Sequence, residues 1–71
     1  MPPYKQLAGI LAARIDRGDW KPGRAIPSES QLSQTYGLAR ATVRRALTVL
    51  ATEGRVYTVQ SLGTYVSEQS D

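Results

Sequence analysis

Arg40, Arg44 and Arg45 fall within six residues of one another, with Thr42 and Thr48 alongside. A guanidinium presents a planar fork of donors that fits guanine O6 and N7 or a pair of phosphate oxygens, and a threonine hydroxyl reaches a phosphate easily. This is chemistry for holding a polyanion rather than for breaking bonds. Catalytic alternatives are thin. Histidine and cysteine are absent, which removes the usual zinc sites, thiolate nucleophiles, disulfides and the commonest general base at neutral pH. Asp16, Asp19, Glu29 and Glu53 show no spacing that would tune a paired acid and base. With 71 residues, the chain is one small domain with a thin core, and a deep walled pocket is hard to build from it. The expectation is a non-enzyme without cofactor or metal, acting through its surface.

Nine basic residues against six acidic ones give a formal +3. The excess is concentrated: Lys21, Arg24, Arg40, Arg44, Arg45 and Arg55 outnumber Glu29 and Glu53 by four in the middle of the chain. A localised positive face suits duplex DNA, although a solvated charged face explains so modest an excess equally well. No apolar run approaches the ~20 residues of a membrane span, and Met1-Pro2-Pro3 does not open a signal peptide. A soluble cytoplasmic protein is expected, with no membrane partner.

The elements that must position these residues are legible in the periodicity. After Pro3, the apolar residues Leu7, Ile10, Leu11 and Ile15 recur at helical spacing, leaving Lys5, Arg14 and Arg17 for solvent. Gly18 closes this first helix, Asp19 to Gly23 form a turn, and Trp20 anchors that turn to the core. Ile26-Pro27 runs extended, because proline disfavours the helical region for its predecessor. Ser28 and Gln31 then form a capping box, with Glu29 complementing the helix dipole, and Gly37 ends a short helix spanning about residues 29–36. Gly37-Leu38-Ala39 lead into a third helix, Arg40 to Glu53, whose apolar cluster is Val43, Ala46, Leu47 and Leu50. Two helices joined by so short a glycine-containing turn make a helix-turn-helix. The face opposite the apolar cluster carries Ala41, Arg45 and Thr48, with Arg40 and Arg44 on one flank and Thr42 on the other. Arg55 to Val59 and Gly63 to Val66 read as two strands joined around Gln60-Ser61-Leu62. The fold class is therefore mainly α with a small β-hairpin: three helices and a two-stranded antiparallel wing over residues 1–66. Residues 67–71 are a frayed tail or the start of a linker.

Asp19-Trp20-Lys21-Pro22-Gly23, Ile26-Pro27-Ser28-Glu29, Tyr36-Gly37-Leu38, Thr42-Val43-Arg44 and Gly63-Thr64-Tyr65-Val66 stand at spacings that resemble the DNA-binding signature of the GntR family. The likeness runs from about Tyr4 to Val66. It implies a winged helix-turn-helix of a bacterial transcription regulator, usually a repressor. Such a domain binds double-stranded operator DNA as a homodimer, with the helix near 40–53 in the major groove and the wing near the minor groove. A small-molecule effector is implied only where a C-terminal domain exists, and the sequence leaves open whether this chain belongs to a longer regulator.

By resemblance, Arg40, Thr42 and Arg44 occupy contact positions of the recognition helix. Ala41, Arg45 and Thr48 extend that face, Ser28 caps its helix beside backbone N–H groups that could hold a phosphate, and Gln60, Ser61 and Gly63 form the wing tip. Against these roles stand internal pairing of one of Arg40 and Arg44, Arg44 being nearer the buried flank, with Glu29 or Glu53, a merely solvated Arg45, and a protein-docking use of Tyr57 and Leu62. Tyr4, Lys5 and Arg24 are either backbone contacts or plain surface. Three positions depart from the family pattern. Ser30 stands where many relatives carry arginine. Ala39 replaces a serine or threonine N-cap, at a cost of ~1 kcal/mol. The tip Val59-Gln60-Ser61-Leu62 lacks the usual arginine and first glycine. Weaker or less specific DNA binding than by a typical relative is expected of the head alone.

Overall fold

The computed structural model describes residues 1–68. Helix α1 spans Pro3–Arg17 and opens on a proline, whose missing N–H is no loss in a first turn. It closes at Gly18, φ 90°, where the Gly18 N–H donates to the Ile15 carbonyl and the Asp19 N–H to the Arg14 carbonyl. Helix α2 spans Glu29–Tyr36, with the expected reciprocal capping box in place. The Gln31 N–H donates to Ser28 Oγ at 3.1 Å, and the Ser28 N–H donates to Gln31 Oε1 at 2.9 Å. After Gly37, the Ser33 hydroxyl donates to the Leu38 carbonyl and fixes the turn. Helix α3 spans Arg40–Thr52, and its N-cap, Ala39, supplies no side-chain hydrogen bond.

Strands β1 (Val56–Val59) and β2 (Gly63–Val66) pair antiparallel, with Val56 opposite Val66 and Thr58 opposite Thr64. Alternation sends Val56 and Val66 into the core. Tyr57 and Tyr65, opposite each other on the other face, stack with ring centroids 5.8 Å apart.

The sheet is broader than the sequence suggests. Ala25 bridges Tyr65, the Ile26 N–H donates to the Thr64 carbonyl at 2.9 Å, and the Val66 N–H donates to the Arg24 carbonyl at 2.9 Å. The segment before α2 therefore borders β2 on its second edge. Beyond β2, the Ser67 N–H donates to the Arg55 carbonyl at 2.9 Å. Of the tail expected to fray, Gln69 to Asp71 lie outside the described residues.

All three helices and both strands contribute to one core, in which Leu7, Leu11, Leu32, Val43 and Leu50 are the largest fully buried side chains. One expectation for α1 fails. Ile10 is 46% exposed, and Ala8 is buried instead. At about 100° per residue, Ile10 lies about 60° beyond Leu7, off the edge of the arc that α3 covers. Arg14, expected in solvent, occupies that edge: its guanidinium lies 4.4 Å from the Trp20 ring centroid and donates to the Tyr36 hydroxyl at 2.9 Å. Trp20 packs against the core only partly buried, with this cation over its face.

Candidate nucleic-acid interface

Burial of Val43, Ala46, Leu47 and Leu50 leaves α3 one free face, on which Arg40, Ala41, Arg44, Arg45 and Thr48 are exposed and Thr42 is half-buried. Turn chemistry between α2 and α3 sets where this face begins, because Gly37 takes φ 66° and lets the chain reverse within three residues. One groove runs between α3 and the hairpin, lined by Glu29, Arg44, Thr48, Thr52, Thr58 and Thr64. A second adjoins it between the start of α2 and the wing tip, with Ser28, Glu29, Gln60, Ser61 and Gly63 on its walls. Six of the residues singled out in the sequence, Ser28, Arg44, Thr48, Gln60, Ser61 and Gly63, thus line one continuous surface.

Arg40 and Arg44 do not extend freely into solvent. Arg44 donates to Glu29 through Nε and Nη2, each at 3.1 Å, and Arg40 donates through Nη2 at 3.3 Å. Internal pairing, which the sequence suggests for one of the two at most, involves both. Glu29 is the partner, whereas Glu53 pairs with Arg55 at 3.5 Å. The Arg44 hydrogen bond, followed by the charges of Arg44 and Arg40, holds the Glu29 carboxyl below its ordinary 4.5, and partial burial opposes the shift. The same bond raises the Arg44 pKa further. Both arginine side chains remain more than half exposed, at 62% and 64%.

Arg45 turns to the opposite flank. Its guanidinium carbon stands 4.1 Å from the ring centroid of Tyr4, at the start of α1, within the range of a cation–π contact. Thr48 is exposed, and its hydroxyl donates to the Arg44 carbonyl one turn back at 3.0 Å. Ala41 offers only a methyl group. At the wing tip Ser61 adopts φ 71°, a conformation usually left to glycine, and the Leu62 N–H closes the turn onto the Val59 carbonyl at 3.0 Å. Leu62 projects from that tip, 71% exposed. Sequence reasoning missed Thr52, Thr58 and Thr64 as groove walls. Period-two alternation with Val56 and Val66 was the signal that placed both strand threonines on the side facing α3.

Among the described residues there is no cluster of His, Cys, Asp or Glu able to hold a metal ion, and no helix long and apolar enough to cross a membrane.

The profile of the family described as bacterial regulatory proteins, gntR family, matches residues 3–66. The mannosyl-D-glycerate transport/metabolism system repressor MngR of Escherichia coli (strain K12) is 43% identical over 68 residues, covering 96% of this chain and 28% of that protein. The histidine utilization repressor of Pseudomonas putida is 37% identical over 67 residues, covering 94% of this chain and 27% of that protein. The chain thus spans little more than a quarter of the length of these relatives. Among solved structures, AraR(DBD) in complex with operator ORR3 superposes with a TM-score of 0.91 at 36% identity, covering 94% of this chain and 81% of that one. A GntR family transcriptional regulator from Listeria monocytogenes superposes with a TM-score of 0.92 at 28% identity, covering 97% of this chain and 60% of that one. Such agreement across fold, signature residues and spacing identifies the three helices and hairpin as a winged helix-turn-helix, and the chain belongs to the GntR family of bacterial regulatory proteins.

Proposed function

We propose that this domain binds double-stranded operator DNA with sequence preference, as the reading head of a bacterial transcription repressor. The observation that carries the proposal is the single free face of α3, where Arg44 lines a groove shared with the hairpin and Arg40 stands beside it, joined to it through Glu29. A helix so presented enters the major groove, and a hairpin on its flank lies along the neighbouring backbone toward the minor groove. Arg40 and Arg44 pair with guanine edges or clamp phosphates. Thr42, Thr48, Gln60 and Ser61 add hydroxyl and amide contacts, and the backbone at Ser28, Ala41 and Gly63 comes close to the DNA. Support comes from the likeness to AraR(DBD), which is seen with its operator, and from relatives that are repressors. Action as a homodimer, release by a small effector held elsewhere in a longer regulator, work in the cytoplasm and absence of catalysis belong to the same proposal.

Titration with duplex oligonucleotides at low ionic strength tests it: amide NMR signals of residues 39–48 shift on binding, and the logarithm of the association constant falls steeply with the logarithm of salt concentration. Exposure of Tyr57 at 45% and Leu62 at 71% favours a second reading, a protein-docking module. In that case binding is mainly apolar, nearly indifferent to salt, and leaves the α3 signals in place when DNA is added.

A further inference from the structure

Glu29 opens α2, yet its carboxylate reaches across the turn to α3. Oε1 accepts from Nη2 of both Arg40 and Arg44, and Oε2 accepts from Nε of Arg44. Arg40 and Arg44 are one helical turn apart, a spacing at which like charges repel and long side chains fan away from each other. A single carboxylate placed between them reverses that tendency. Glu29 is itself well held: its neighbour Ser28 and Gln31 form the reciprocal capping box, and only 24% of the Glu29 side chain is exposed.

The bridge leaves the outward donors free. Glu29 engages the Nε/Nη2 edge of Arg44, so its Nη1/Nη2 edge stays open for a partner on a side chain that is 64% exposed. Arg40 commits a single Nη2 hydrogen to Glu29, and its other Nη2 hydrogen still completes a fork with Nη1 or with Nε. Two forks can therefore meet DNA without the bridge breaking. The carboxylate also brings a negative charge to a surface that faces phosphates, which weakens attraction to any duplex alike.

We propose that Glu29 is a specificity-determining positioning residue, which holds Arg40 and Arg44 in one shared orientation and lowers the domain's general affinity for DNA. The proposal rests on the duplex-binding reading above. Its physical content is preorganisation: a fork already aimed loses less rotamer freedom on reaching a guanine, whereas an unaimed arginine settles on whichever phosphate is nearest.

The test compares the parent chain with E29Q and E29D. A randomised duplex pool is first selected on the parent, and each protein is then titrated with the selected duplex and with a shuffled duplex of equal length. E29Q keeps the Ser28–Gln31 box and removes the charge. It is expected to bind the shuffled duplex about threefold more tightly, the scale of one exposed ion pair. Its ratio of selected to shuffled affinity is expected to fall about tenfold, the scale of one disordered arginine–guanine contact. E29D keeps the charge and the favourable charge–dipole contact but is too short to span both arginines, so it lowers the ratio without the gain on shuffled DNA. If the ratio in both variants equals that of the parent, whether the absolute affinities rise, fall or stay, Glu29 acts only through charge or fold and the proposal is overturned. If the parent itself enriches no sequence from the pool, the duplex-reading function fails first, an outcome separate from failure of the Glu29 role.

Discussion

Helix α3 and the β1–β2 hairpin line one groove, yet they are fastened to the protein by different means. Four of the 13 residues of α3 are buried, with Val43, Ala46 and Leu50 at 0% exposure, and its polar face is tied to α2 through Glu29. In the hairpin only Val56 and Val66, at its base, reach the core. From there outward it is held by ladder hydrogen bonds, by the Tyr57–Tyr65 stack and by the segment around Ala25, and its tip contains a serine in a left-handed conformation. On the proposed function, the helix that would present side chains to base edges is the rigid partner. The hairpin tip is the adaptable one, suited to following a backbone whose path varies with sequence.

The largest break in this comparison is expected from Leu50→Ala, which removes a fully buried side chain from α3. It should destabilise the domain by about 2–5 kcal/mol in urea unfolding, enough to leave so small a core largely unfolded. Hydrogen exchange gives the most direct contrast: amides of residues 43–50 should exchange at least ~100-fold more slowly than those of residues 60–62. Equal protection would mean that helix and tip open together, and the contrast drawn above would be wrong. Arg40→Ala should weaken binding to a selected duplex by ~1–3 kcal/mol with little loss on shuffled DNA, and fluorescence anisotropy would measure both. A uniform loss would place Arg40 on phosphate. Ala39→Ser should stabilise the domain by ~1 kcal/mol in thermal unfolding, because Ala39 already holds the extended N-cap conformation (φ −62°, ψ 148°) and lacks only the hydroxyl.

The smallest effect concerns acid. Asp19, hydrogen-bonded first by Arg17 and then by Arg14, is held well below its ordinary 3.8, and Glu29 is held below 4.5 by Arg44. Both carboxyls have lower pKa values folded than unfolded. Their contribution is therefore complete above the ordinary values and is lost as pH falls through the lowered ones. Stability should decline below about pH 4.5, and Asp19→Asn should flatten that decline. These ion pairs face solvent, so salt should shrink the difference.

Much of this architecture was legible because its signals are local. The bounds of α2 follow from Ser28, Gln31 and Gly37 alone, since a capping box and a left-handed glycine act on their own turns. The hairpin follows from β-branched alternation flanking Gln60-Ser61-Leu62. What escaped depends on how elements cross. No spacing along the chain shows that Glu29 reaches Arg40 as well as Arg44, that Arg45 leans on Tyr4, or that Ala25 borders Tyr65. Ile10 fits a helical period as well as Ala8 does, and only the path of α3 across α1 decides between them. The resemblance supplied Gln60, Ser61 and Gly63 as a set, whereas Thr52 and Thr58 stand in no motif, and Thr64, though part of one, carries no mark of the groove it walls.

The hydrogen bond from the Ser67 N–H to the Arg55 carbonyl has a practical corollary. It keeps the chain beside the hairpin's base, about 13 Å of strand away from the tip. A fluorophore or affinity handle attached at position 68, which is exposed and next along the chain, would therefore sit by the base of the hairpin, away from its tip. It could report on binding at the groove without occupying it, whereas the same label at position 61 would sit in the way.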